Sequence, residues 1–104
     1  YNPEKNIEAG IARVKDNMRY FRSRMGRQAA AEELYLMHQQ GAAGAIALLS
    51  QPSRLASDAL AKFYKPGVNV KAVTQNGGRA DWSAGRFAGM WLEKGRRFMN
   101  HYSK

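Results

Sequence analysis

From Pro3 onward the apolar residues fall at Ile7, Ile11, Val14, Met18, Phe21 and Met25, at spacings of four and three. Lys15, Arg19, Arg22 and Arg24 lie on the other faces. That pattern predicts one apolar stripe on a long helix. Asn2-Pro3-Glu4 supplies its start: Asn as the cap, Pro in the first helical position, and Glu near the positive end of the helix dipole. The stripe stops near Gly26. A second helix is expected from Gln28 to Gln40, with Ala30, Leu34 and Met37 as its buried stripe and Gly41 as its stop. Ala43 to Leu49 reads as a short apolar third helix, broken by Pro52-Ser53, with Ser53 expected to cap a fourth that runs to about Tyr64. Pro66-Gly67 reads as a turn, and Val68 to Gln75 fits a short helix or a strand ended by Asn76-Gly77-Gly78. Ser83 then caps a last helix in which Phe87, Trp91, Phe98 and Tyr102 recur at helical spacing.

Gly85, Gly89 and Gly95 interrupt that last helix, and each costs roughly 0.5–1 kcal/mol relative to Ala. They make sense where another backbone packs close. Trp82, Trp91 and the methionines read as core. The expected architecture is mainly α, a single domain over residues 1–104 with five to six helices.

At 104 residues the chain supports one small domain with a modest core. It has no cysteine, which excludes disulfides and thiolate metal sites and leaves the redox compartment open. No apolar run approaches the ~20 residues of a membrane span, and no signal peptide is visible. The chain begins at Tyr1, which reads as a processed chain or a piece of a longer one. The formal net charge of +9, from 17 Lys and Arg against 8 Asp and Glu, favours polyanionic partners: nucleic acid, anionic lipid or the acidic polymers of a bacterial envelope. Basic residues spread along helices equally fit plain solvated faces.

The chemistry concentrates in ELYLMHQQGAAGAIALL, Glu33 to Leu49. Tyr35, His38 and Gln39 stand at i, i+3 and i+4 and share a helix face beside Leu34 and Met37, and Gln40 and Gly41 follow at the helix end. An aromatic ring with neighbouring amides beside a Gly-rich turn suits a carbohydrate, the ring as apolar platform and the amides as donors and acceptors. A half-buried histidine near a helix C-terminus, where its charge is favoured, accounts for His38 equally well. No metal-ligand spacing, nucleophilic triad or phosphate-binding Gly loop is present, so neither a metal nor a cofactor is expected.

Three ordered blocks resemble the lysozyme-like lytic transglycosylases and muramidases, in their phage-type branch. YNPEKNIEAGIARVKDNM is similar to the helix that follows the catalytic region there, with a D-P-x-x-N-I-x-x-G pattern matched from Asn2 to Gly10. The Glu33–Leu49 stretch falls where that family has its A-Y-N-A-G motif, nearer the branch form L-Y-L-x-H-x-x-G. His38 then stands for the motif's Tyr, Gln39 for its Asn and Gly41 for its Gly. TQNGGRADWSAGRFAGMW is similar to the N-G-G…T-A-x-x-F…W ending, with Ser83 in place of Thr and with Phe87 and Trp91 matching.

The resemblance implies the C-terminal part of a lysozyme-like helical domain. Such domains cleave the β-1,4 bond between N-acetylmuramic acid and N-acetylglucosamine, with one Glu as general acid. In transglycosylases the muramic 6-hydroxyl then attacks; in muramidases, water does. Tyr35, His38, Gln39, Gln40 and Gly41 become cleft wall, peptidoglycan the partner, and the periplasm or the outside of the cell the place of action. The family's E-S segment and G-L-x-Q motif do not occur here. The acid is therefore expected outside this chain, on the missing N-terminal part or on another chain, with Glu33 as a weak candidate within it. The stripe of Ile7, Ile11, Val14 and Met18 is then expected to pack partly on material outside the chain. Two other classes remain open. One is a module that binds wall glycan without cutting it. The other is a basic helical domain that meets nucleic acid through Arg19, Arg22, Arg24 and Arg27.

Overall fold

The structure is a computed structural model that describes residues 3–103, with side chains described from residue 13 to 100. The Asn2 cap and the side chains of Ile7, Ile11, Tyr102, His101, Glu4 and Glu8 lie outside the described residues. The described residues are mainly helical, with 72% in helix and six α-helices among them. These are α1 (Pro3–Met25), α2 (Ala31–Gln40), α3 (Ala42–Ser50), α4 (Ala56–Ala59), α5 (Val68–Thr74) and α6 (Ala84–Ser103), with a 3-10 turn at Ala61–Phe63 between α4 and α5.

The core gathers at the middle of the bundle. Phe21, Leu36, Met37, Leu48, Leu60, Val73 and Phe87 are its largest fully buried side chains. Among the described side chains of α1, Phe21 is buried and Met25 packs at the edge of the core, whereas Val14 is 47% exposed. The predicted stripe is thus sunk at Phe21 and open at Val14.

The seam between α2 and α6 is the most extensive helix contact. Gly95 makes it possible. A Cβ there would stand 3.1 Å from the Tyr35 Cβ and 3.3 Å from the Glu32 Cα. Gly85 does the same against Pro52, whose backbone oxygen would lie 3.1 Å from an added Cβ. Gly89 has open space around the corresponding position, so close packing explains two of these three glycines.

The second helix begins three residues later than expected, at Ala31, with Ala30 as its cap. Its buried face also differs from the expected one. Glu33, Leu36 and Met37 turn inward, Leu34 is half-buried and Ala30 is exposed. Ser53 caps nothing. Residues 51–55 instead run against the start of α6, with an antiparallel bridge between Leu55 and Ser83 and a backbone hydrogen bond from the Ala56 N–H to the Trp82 oxygen of 3.0 Å. The fourth helix is correspondingly short and opens at Ala56. Val68–Thr74 is a helix, entered through Gly67 in the left-handed region. Ser83 caps α6 as expected, its Oγ accepting the Arg86 N–H at 3.1 Å.

Candidate functional site

At the start of α2, Glu33 occupies the third helical position. Its Oε1 accepts the N–H of Ala30, the cap, at 2.9 Å. Arg27, in the link after α1, donates to both carboxylate oxygens at 2.7 Å each. The guanidinium in turn lies 5.0 Å from the centre of the Phe21 ring. A bidentate, charge-assisted pair of this kind fixes geometry as well as charge. Glu33 is buried, at 7% exposure. Its carboxyl titrates below the ordinary Glu range: the Arg27 hydrogen bonds dominate, burial opposes them, and the Ala30 N–H and the Arg27 charge reinforce them. A general acid needs its pKa raised. Glu33 is instead held ionised, as a strut between α1 and α2.

Tyr35, one turn on, is half-buried in the α2–α6 seam. Its ring stacks on Phe98 at 5.9 Å between centres and 30° between planes, and tilts against Trp91 at 6.3 Å. Lys94 Nζ sits 4.7 Å from the centre of the Trp91 ring. His38 and Gln39 are exposed and Gln40 is half-buried. Gly41 closes α2 with φ +77° and opens α3, and a side chain there would be strained. The five candidate residues therefore divide. Tyr35 is tied into an aromatic wall, while His38 and Gln39 face water at the end of the same helix.

The four arginines named for nucleic acid do not form one surface. Arg27 is committed to Glu33, and Arg24 lies over Tyr20 at 5.1 Å. Arg19 pairs loosely with Asp16 at 3.6 Å. With Lys15, Met18, Arg22 and Gln28, Arg19 lines an open groove of about 280 Å³. Arg24 borders a different, narrower cleft of about 200 Å³, whose walls include Tyr20, Ile46, Lys62 and Phe63.

Sequence reading missed Arg27 as the partner of Glu33. The available signal was the acid three positions after the cap, but it was hidden because the helix was started at Gln28. The placement of Tyr20 and Phe63 at one cleft had no sequence signal, because it depends on how distant segments pack. Among the described residues no group of three His, Cys, Asp or Glu could hold a metal ion. No helix among them is long and apolar enough to cross a membrane. Compared with family models, curated proteins and solved structures, the chain matches none.

Proposed function

We propose that this chain is part of a lysozyme-like domain that cleaves the glycan strands of peptidoglycan, and that it supplies cleft wall while the general acid comes from outside it. The observation that carries this reading is the end of α2. His38 and Gln39 stand in solvent on the helix face that also carries Tyr35, whose ring is braced by Phe98 and Trp91. A braced aromatic beside exposed amide and imidazole groups is a suitable surface for a pyranose ring and its acetamido group. The three-block resemblance names the substrate. The basic surface agrees with it, since wall polymers are rich in carboxylates and phosphates.

Glu33 favours a second reading beside it. Its carboxylate is locked by Arg27 and its pKa is lowered. A chain with no better acid would hold glycan without cutting it.

Purified peptidoglycan separates these readings. The chain, folded by circular dichroism, is incubated with it; sedimentation reports binding and mass spectrometry reports soluble products. Retention on the wall without muropeptides is the expected result for the chain alone. Release of anhydro-muropeptides or reducing muropeptides would place an acid within the chain and name the reaction. A folded chain that neither binds nor cuts would sink both readings.

A further inference from the structure

The narrower cleft lies between the C-terminal part of α1, the outer face of α3 and the 3-10 turn. Two aromatic residues of its lining, Tyr20 and Phe63, each carry a cation. Arg24 lies 5.1 Å from the centre of the Tyr20 ring and Lys62 lies 5.2 Å from that of Phe63. Neither cation has a carboxylate partner among the described residues, although Asp16, Glu32, Glu33 and Glu93 all pair with other arginines. Ile46 contributes apolar wall and Ser50 a hydroxyl at the rim. Two unneutralised cations at one small concavity focus positive potential into it. Their ring contacts hold the side chains in place, so less freedom is lost when a ligand arrives.

We infer that this cleft binds a carboxylate-bearing sugar as a single ring, with the carboxylate between Arg24 and Lys62 and the ring against Tyr20 and Phe63. The volume of about 200 Å³ sets the size: one pyranose fits, an oligosaccharide segment does not. The charge sets the class: a neutral sugar leaves both cations unanswered. Nucleic acid is disfavoured because the two cations meet at one small cleft instead of following a backbone track along the surface. The choice of a sugar over another organic acid rests on the peptidoglycan reading, while the anion site stands on the geometry alone. The lactyl group of N-acetylmuramic acid makes it the natural probe. The cleft is separate from the face bearing His38 and Gln39, since its α3 wall begins at Ala43 and none of Tyr35 to Gly41 lines it.

The test is an amide-resolved NMR titration of the whole chain with N-acetylmuramic acid, N-acetylglucosamine and benzoate. N-Acetylmuramic acid is expected to shift the amides of Ser50 and Phe63 and to bind about two- to fivefold tighter than N-acetylglucosamine, the range that an exposed ion pair gives. Arg24→Gln and Lys62→Gln, both at exposed positions, should each lower that preference by about twofold with the circular dichroism unchanged. Equal binding of the two sugars, shifts confined elsewhere, or tighter binding of benzoate would overturn the assignment. Sedimentation with intact peptidoglycan keeps the two ideas apart. Wall binding with no N-acetylmuramic acid response in the cleft removes this site and leaves the proposed function. A filled cleft with no wall binding does the reverse.

Discussion

At the first turn of α2 a carboxylate is sunk to 7% exposure and held by three hydrogen bonds, from Arg27 twice and from the Ala30 N–H. At the last turn of the same helix, His38 and Gln39 stand in water. Ten residues of one helix thus carry polar groups under opposite conditions. At the first end, donors within the chain engage both carboxylate oxygens, so its chemistry is spent on holding α1 to α2. The second end has side chains whose partners lie in solvent, so its chemistry is available to something else. A residue type alone does not separate these roles. Glu33 is the more reactive group on paper, yet it is the one the fold has used.

That contrast breaks most severely from below. Phe21 is fully buried and also forms the floor under the Arg27 guanidinium. Phe21→Ala should destabilise the domain by about 3–5 kcal/mol, through lost burial and the cavity left behind. Urea unfolding followed by tryptophan fluorescence measures it. A loss under about 1 kcal/mol would mean that α1 is only loosely attached, and that the lock at Glu33 is not anchored in the core.

Removing the charge alone is a milder cut. Glu33→Gln keeps the shape of the side chain and an oxygen for the Ala30 N–H, but gives up the ionic half of the bidentate pair. A cost of about 1–2 kcal/mol is expected, in the range of charge-assisted hydrogen bonds. If Glu33 is only a strut, wall binding by the folded protein should be unchanged. The same pair predicts a pH dependence. The folded-state pKa of Glu33 lies below its unfolded value. Its contribution is therefore complete above the unfolded Glu pKa of about 4.3 and is lost as pH falls through the lowered folded pKa. Melting temperatures of the native chain should drop more steeply than those of Glu33→Gln between about pH 5 and pH 3. Parallel curves would show that the pair carries no net stabilisation.

The start of α1, the glycine stop after α2 and the Ser83 cap were legible in the sequence because each is set by neighbours a few residues away. The mainly helical class followed from the same local signals. The misses share another cause. Placing the start of α2 at Gln28 instead of Ala31 counted the cap Ala30 into the expected buried stripe, and that stripe left out Leu36, which shares the inward face with Glu33 and Met37. Ser53 had the right side chain for a cap, but the backbone pairing of residues 51–55 with Trp82 to Gly85 decided where α4 begins. Gly89 shows the limit of reading glycines, for nothing lies within 4 Å of where its side chain would stand. At the candidate site, helical spacing gave the shared face of Tyr35, His38 and Gln39. It gave no hint that Phe98 and Trp91 would brace Tyr35 from α6, since that depends on the crossing of two distant helices.

The smallest stability effect belongs to the open end, and it is the one that tests whether openness there means function. His38 and Gln39 touch no core and form none of the hydrogen bonds or ion pairs that hold the fold. His38→Ala with Gln39→Ala should therefore change unfolding free energy by no more than about 0.5 kcal/mol, as for surface positions without special partners. Helix propensity even favours the alanines slightly. Under the proposed function the same double variant should lose about fivefold or more in affinity for purified peptidoglycan, because each of the two polar contacts to a sugar hydroxyl or acetamido group contributes about 0.5–1.5 kcal/mol. The paired measurement matters more than either half. Lost binding with unchanged stability is what a recognition surface gives. Unchanged binding with unchanged stability would make this end of α2 an ordinary solvated helix terminus, and would move the search for the glycan to the cleft between Tyr20 and Phe63.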